Sequence, residues 1–217
     1  MDKVNDIPAS PLDMLLLPVW LHKRITVGLN GLFLAFLFVG SFDMLFYREL
    51  YASSFFQGNF LQIAFKLIGF AFTAFLIGML DVVSTMYPVA DFARFIGKRS
   101  EKYVSPRFPV VLMKSYAWSH VIALLPYGLW YFLGIEWANV NAFSPMAYRL
   151  TLAILITVLE LLPFGQLGII YRTISVKTRI QIFGKLILIL AAYFWMQLSS
   201  NALQFFQEIA YFFLVRM

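Results

Sequence analysis

Cysteine is absent from the 217-residue sequence, and charged residues make up only 13% of it. The lack of cysteine excludes disulfide bonds, thiolate metal sites and cysteine nucleophiles. Soluble domains carry about 25% charged residues. A chain with half that share, with 61% hydrophobic residues and a mean hydropathy of +0.79, is not a water-soluble globule. These shortages predict an integral membrane protein.

Recognisable catalytic motifs are lacking as well. The sequence contains no His-Glu-x-x-His zinc motif, no Gly-x-Ser-x-Gly nucleophile motif and no phosphate-binding loop. Its two histidines could form a metal site only if further carboxylates converged on them. The aromatic residues are spread through the apolar segments, where they are expected to pack and face lipid rather than stack on nucleic acid. We therefore expect a protein that is not an enzyme, with no cofactor, no metal and no nucleic-acid partner.

Long apolar segments predict the fold class. A membrane-spanning helix needs about 20 predominantly apolar residues. The predicted fold is all-α, a five-helix transmembrane bundle (residues 25–217) preceded by a cytoplasmic or interfacial segment (residues 1–24). Polar residues 199–201 interrupt the last apolar segment, which leaves open whether residues 202–214 continue the fifth span. The five predicted spans are residues 25–46, 60–86, 109–134, 147–171 and 181–214.

Two shorter stretches have the pattern of helices that lie at the membrane surface. Residues 11–22 carry leucines at helical spacing and run into a basic cluster at Lys23 and Arg24. Residues 88–103 place phenylalanines on one side and charged residues on the other. We expect both to anchor at the lipid headgroups, and a docking site for a cytoplasmic partner is the alternative.

Basic residues are distributed unevenly between the predicted loops. If the N-terminus is inside, 13 of the 17 Lys and Arg residues fall on the inner side, as the positive-inside rule requires. The N-terminus is therefore predicted to be cytoplasmic and the C-terminus external. The inner face should meet anionic lipid headgroups or another membrane or cytoplasmic protein. Its candidate residues are Lys23, Arg24, Arg94, Lys98, Arg99, Lys102, Arg172, Lys177 and Arg179.

The order of several short motifs carries a family resemblance. A proline-containing segment precedes the first span, and the second span closes on the sequence Phe-Ile-Gly-Lys-Arg-Ser-Glu-Lys-Tyr ending at Tyr103. A Tyr116-Ala117 pair opens the third span, which contains Pro126, and a polar hinge at residues 171–178 leads into the fifth span. In this order the chain resembles the Yip family of five-span membrane proteins, named for members that interact with Ypt/Rab GTPases.

That resemblance implies a non-enzymatic membrane organiser and no catalytic residues. The tail before the first span has only about 24 residues, shorter than in eukaryotic trafficking members, and it lacks an Asp-Leu-Tyr-Gly-Pro-like sequence. A prokaryotic member, in a bacterial or archaeal cell membrane, is the better fit.

Ionisable residues inside the predicted spans are the candidates for a site, because each is expensive to insert unless it has a partner. His120 and Glu160 both fall near the middle of their spans and are predicted to pair. One interpretation is a proton-titrating or substrate-binding pair in a polar cavity, which residues 163–168 would open by loosening the fourth span. The other is a structural hydrogen bond between helices.

Two further pairs are predicted from depth alone. Asp81 and Lys114 lie about one turn inside the inner face, and Asp43 and Lys66 lie near the outer face. Both are interpreted as structural or snorkelling pairs.

Two functions follow from these patterns. The first is a scaffold that organises or recruits partners at the cytoplasmic membrane face. The second is a small carrier or permease subunit that uses the polar residues at mid-membrane. The first predicts a stable complex, and the second predicts behaviour that depends on a ligand or on protons.

Overall fold

The computed structural model describes residues 16–45, 55–133 and 137–216, and within these ranges the regular structure is entirely helical. The short helix α1 precedes the longer helices, and a 3₁₀ turn at Trp137–Asn139 lies between α5 and α6. The helices are α1 (Val19–Arg24), α2 (Leu32–Leu45), α3 (Phe60–Arg99), α4 (Phe108–Ser119), α5 (Val121–Phe132), α6 (Met146–Lys177) and α7 (Ile182–Arg216).

Four helical segments are long and apolar enough to cross a membrane. They are α3, α4 together with α5, α6 and α7, and they coincide with the second to fifth predicted spans. Large apolar side chains on these helices are exposed on the outside of the bundle, as in a protein surrounded by lipid. The chain is therefore a helical protein of membrane type.

The first predicted span is represented by a shorter helix. Helix α2 has 14 residues, about 21 Å at 1.5 Å per residue, against a hydrocarbon core of about 30 Å. It begins late because Gly31 has a φ of +85°, a left-handed conformation that a helix cannot include. Residues 46–54, where the span was predicted to end, lie outside the described residues. A fifth span therefore remains a prediction.

Helix α3 corrects the prediction of a separate surface helix at residues 88–103. It runs for 40 residues, about 60 Å, from a capping box between Asn59 and Gln62 through Pro88 to Arg99. Packing against α7 supports the helix around the proline, where Pro88 and Val89 border a small cavity that α7 residues also line. The apolar side of this stretch thus faces α7.

Helix α1 packs against the C-terminal end of α6. Lys177 Nζ donates hydrogen bonds to the carbonyl oxygens of Lys23 and Ile25, each at 2.9 Å. Arg172 Nη1 donates to the carbonyl of Leu17 at 2.7 Å. The first five residues of the stretch predicted as an interfacial helix, 11–15 of 11–22, lie outside the described residues. Its described part is held by α6.

Helices α4 and α5 form the centre of the bundle. In their most apolar window 61% of the residues are buried, against 17–22% in α3, α6 and α7. The two helices meet at His120, where the backbone makes tight three-residue hydrogen bonds, from His120 to Ala117 and from Ala123 to His120. Pro126 lies less than two turns further on and lacks the N–H that would bond to Ile122, which favours a break here.

Residues 202–214 belong to helix α7. It continues as one helix through the polar residues 199–201. Ser199 is accommodated because its hydroxyl is hydrogen-bonded to the carbonyl of Met196 and to Thr85 on α3.

Candidate functional site: two carboxylates and a histidine in a polar cavity

The site begins with a close contact between α2 and α3. A Cβ atom added to Gly40 would collide with the backbone of Ala74, and one added to Gly78 would collide with the backbone of Phe36. As residue numbers rise along α3 they fall along α2, so the two helices are antiparallel. Glycine at both positions lets the two backbones touch.

An aspartate follows each glycine by three residues. Asp43 lies just beyond Gly40 on α2, and Asp81 just beyond Gly78 on α3. Side chains of a helix lean toward its N-terminus. Because α2 and α3 are antiparallel, the side chains of Asp43 and Asp81 lean toward each other, each directed back toward the glycine contact.

His120 completes the cluster from the break between α4 and α5. One ligand atom from each of Asp43, Asp81 and His120 lies within 4.8 Å of the other two. Asp81 is 3% exposed and His120 is 4% exposed. Three ionisable groups from three segments of the bundle thus meet in its interior.

Neighbouring hydroxyl groups orient Asp81. Thr85 Oγ1 donates to Asp81 Oδ1 at 3.0 Å, and the Tyr116 hydroxyl donates to the same oxygen at 3.3 Å. Thr85 is in turn 3.1 Å from Ser199 Oγ on α7. These bonds connect three helices and fix one carboxylate oxygen in place.

The ring of His120 is also fixed. Its Nδ1 lies 2.9 Å from the carbonyl oxygen of Tyr116, and since a carbonyl only accepts, Nδ1 carries the proton of the neutral ring. Nε2 then carries the lone pair. The rings of Phe42 and Tyr116 contact the imidazole edge-on, with centroid distances of 5.3 and 4.7 Å.

Asp43 differs from Asp81 in its hydrogen bonding. Its Oδ2 atom is buried and has no hydrogen-bond partner among the described residues. A buried carboxylate oxygen without a donor is costly, since ionised groups in protein interiors are normally paired. This oxygen is the unsatisfied acceptor of the cluster.

A cavity of about 430 Å³ adjoins the cluster and is bordered by Asp43, Asp81 and His120. Its wall also includes the amides of three glutamines, Gln166 on α6 and Gln204 and Gln207 on α7. No Lys or Arg is among the described residues that line it. Both carboxylates therefore face a polar space that contains no cationic side chain from the described part of the chain.

The structure does not bring His120 and Glu160 together. Glu160 is on the exposed side of α6, whereas the inward stripe of that helix passes through Leu159, Leu162 and Gln166. Residues at the spacing of Leu159, Leu162 and Gln166 share one face of a helix, and Glu160 lies about 100° around the axis from Leu159. His120 and Glu160 lie at similar depths in their helices, but Glu160 is on the side of α6 that faces away from His120.

The two lysine pairs inferred from depth are not formed either. Lys114 Nζ donates to the carbonyl and hydroxyl of Thr26 and to the carbonyl of Gly28. Lys66 Nζ donates to the carbonyl of Gln57. Both amines bind loop oxygens near the helix ends, so Asp43 and Asp81 are left to face each other.

The predicted basic residues lie at or just beyond the C-terminal ends of α1, α3 and α6. These ends are near one another, because α1 is hydrogen-bonded to α6 and Gly184, in the first turn of α7, lies against Ile96 of α3. Three of the residues, Arg94, Arg172 and Lys177, are partly buried and donate hydrogen bonds to backbone carbonyl oxygens. Lys102 is half-buried. The exposed members are Lys23, Arg24, Lys98, Arg99 and Arg179.

The meeting of Asp43, Asp81 and His120 was not foreseen in the sequence. A signal for it exists, because Gly40-Ser-Phe-Asp43 and Gly78-Met-Leu-Asp81 share a Gly-x-x-Asp pattern in two consecutive apolar segments. In membrane helices glycine is common where two helices approach closely. An aspartate about one turn after such a glycine is therefore expected to lie inside the helix bundle, near that contact.

Comparison of the chain with protein-family models, curated proteins and solved structures finds no match.

Proposed function

We propose that this chain is a membrane carrier, or a permease subunit, that binds a small cation between Asp43, Asp81 and His120. The observation that supports this function is the convergence of the three side chains on one polar cavity inside a bundle of membrane-type helices. Ionisable residues within membrane segments generally mark ion or substrate pathways, because their insertion is otherwise too costly.

Charge favours a cation over an anion or a neutral solute. Two carboxylates within 4.8 Å of each other repel strongly in a medium of low dielectric constant. The described lining of the cavity supplies no Lys or Arg to offset them. A bound cation or a proton between Asp43 and Asp81 removes that repulsion.

The helix break at His120 also suits a carrier. Carriers place their sites where a helix is discontinuous, because the interrupted backbone can move and can line a cavity. Here the break between α4 and α5 adjoins the cavity, and Pro163 on α6 lines its other side. A purely structural hydrogen bond would need neither a second carboxylate nor an adjoining polar space.

Flux measurements on reconstituted protein test this proposal. Vesicles that contain the full chain and a trapped pH-sensitive or metal-sensitive dye are exposed to a proton gradient or to external cations. We expect flux with the unchanged chain and at least tenfold less with Asp81→Asn. Glu160→Gln is the matched control, since it removes a carboxylate that does not line the cavity. No flux for any cation, or equal flux with Asp81→Asn, would contradict the carrier function.

The second candidate is a Yip-like organiser that recruits anionic lipid or a protein at its cytoplasmic face. The exposed basic residues around the ends of α1, α3 and α6 support it. Polybasic surfaces gain about 1 kcal/mol per Lys or Arg near anionic lipid. Changing Lys98, Arg99 and Lys102 together to glutamine should reduce recovery of a partner in mild detergent and binding to anionic vesicles. Unchanged recovery and lipid preference would mean that these charges do not recruit partners.

A further inference from the structure

The structure points to a divalent transition-metal ion as the ligand of the cluster, held by one carboxylate oxygen each from Asp43 and Asp81 and by the Nε2 atom of His120. This inference rests on the proposed function and names its substrate class. It depends on four features of the site: the spacing of the donors, their chemistry, their supporting hydrogen bonds and the unsatisfied oxygen of Asp43.

Spacing is the first requirement. One carboxylate oxygen from each aspartate and one ring nitrogen of His120 lie within 4.8 Å of one another, and three such atoms fit around a central point no more than about 2.8 Å from each. Bonds from Zn²⁺ to histidine nitrogen or carboxylate oxygen are about 2.0–2.2 Å long. A movement of less than about 1 Å per side chain would therefore close the donors on an ion.

The donor types select the class of metal. Calcium and magnesium take oxygen ligands, whereas imidazole nitrogen suits zinc, iron and similar transition metals. Two carboxylates and a neutral histidine carry a total charge of −2, which a divalent ion neutralises. A neutral complex is the state that a low-dielectric interior favours. A monovalent ion would leave one negative charge uncompensated.

Hydrogen bonds around the donors match those of metal sites. Histidine ligands commonly donate their second ring N–H to a carbonyl or carboxylate, which fixes the ring and directs the other nitrogen at the metal. His120 does this through Nδ1 and the carbonyl of Tyr116. Thr85 and Tyr116 both bond Asp81 Oδ1 and hold that carboxylate in the same way.

The unpaired oxygen of Asp43 is an independent indication that the cluster binds a ligand. Its Oδ2 is buried without a hydrogen-bond donor among the described residues, while it borders the cavity with the other two donors. A positively charged ion would satisfy it. The cavity of about 430 Å³ leaves room for water to supply the remaining coordination positions that three protein ligands leave open.

Binding of metal to the purified full chain in mild detergent tests the inference without any measurement of transport. Equilibrium dialysis with Zn²⁺ should give about one ion per chain, and Mg²⁺ at the same concentration should not compete. Co²⁺ used as a spectroscopic probe should show the absorption of a low-coordinate site with nitrogen and oxygen ligands. Zn²⁺ should also raise the unfolding temperature, because an ion that binds only the folded chain stabilises it.

Variants assign the site. Asp43→Asn and His120→Gln should each weaken Zn²⁺ binding by at least tenfold, and Glu160→Gln and His22→Gln are matched controls that should leave it unchanged. Asp81→Asn keeps an oxygen for Thr85 and Tyr116 and gives a second carboxylate test if another variant does not fold. Tyr116→Phe should have a smaller effect, since it removes only a bond to Asp81.

Several results would overturn the inference. Substoichiometric Zn²⁺, equal binding by Mg²⁺, or binding that survives both Asp43→Asn and His120→Gln would each do so. Proton flux that depends on Asp81 in a chain that binds no metal would reject the metal while keeping the carrier. Metal binding without any flux would keep the site and reject the carrier.

Discussion

His22 illustrates at the residue scale how a polar group is used structurally rather than functionally. The ring is buried between α1 and α6, with Nε2 3.0 Å from the Leu16 carbonyl and Nδ1 2.7 Å from Thr173 Oγ1. Thr173 is also 2.6 Å from Ser115 Oγ. The carbonyl must accept from Nε2, so in a neutral ring Nδ1 carries the lone pair and accepts from the Thr173 hydroxyl.

Acid should loosen this contact. Burial lowers the pKa of His22 below its ordinary value of 6.5, and the nearby charges of Arg172 and Lys177 lower it further. As pH falls through about 6.5 the unfolded chain binds the proton before the folded chain does, so folding free energy is lost. Unfolding of the unchanged chain should therefore occur at lower temperature at pH 5.5 than at pH 7.5.

The variant His22→Gln provides the control for that pH effect. It should be less stable than the unchanged chain at neutral pH, because it loses part of the buried network, but its stability should fall less between the two pH values. An equal fall in both chains would show that His22 is not the titrating group.

Single residues also show why the site was only partly predictable. His120 was recognised from the sequence because a lone ionisable group in an apolar segment stands out. Its partners were assigned from depth, and depth fixes position along the bundle but not direction around a helix. Glu160 matched in depth and faces away. Asp43 and Asp81 were predicted to lie near opposite faces, and their meeting within 4.8 Å shows that this depth prediction was wrong. Asp81 was placed too near the inner face because the second span was predicted to end at residue 86, whereas α3 continues to Arg99.

At the scale of elements, the contact of α2 with α3 positions the two carboxylates. Gly78→Ala would place a Cβ against the backbone of Phe36 and Gly40 and should force the helices apart. We expect destabilisation by about 1–3 kcal/mol, the range for overpacking of a tight interior. Unfolding by heat or by a denaturing detergent measures it.

Gly128→Ala on α5 is the matched change, since nothing lies within 4 Å of the added atom. Alanine is the better helix former by about 1 kcal/mol, so this variant should be equally stable or more stable. If Gly78→Ala proved no less stable than Gly128→Ala, the close approach of α2 and α3 would not exist in the folded chain.

The helices also show which elements the sequence predicts well. Long apolar runs predicted the four membrane-type helices and where each begins, because hydrophobicity largely determines these features. The end of α3 was not predicted, since the helix continues 13 residues beyond the apolar run, to Arg99. Prolines were less informative: helices α3 and α6 continue through Pro88 and Pro163, whereas the α4–α5 segment breaks shortly before Pro126. What happens at a proline depends on the packing of neighbouring helices, which a single sequence does not specify.

At the scale of the whole molecule, the number of crossings depends on α2. If this helix of 14 residues crosses together with its flanking segments, the chain has five spans and its ends lie on opposite sides. The distribution of 13 of 17 basic residues predicts that arrangement. A reporter fused after Lys102 should then be cytoplasmic and one fused after Met217 external. Both reporters on the same side would mean that α2 does not cross.

The antiparallel glycine contact makes the separation of the two carboxylates a measure of helix register. Asp43 and Asp81 lean toward each other from helices that run in opposite directions, so sliding α2 along α3 by one residue, about 1.5 Å, changes their spacing by a similar distance. An ion that requires short bonds to both carboxylates would hold α2 and α3 in one register, and loss of the ion would allow the two helices to slide. Occupancy of the cluster would then be transmitted along the C-terminal half of α3, about 26 Å from Asp81, to the exposed basic residues Lys98 and Arg99 at its end.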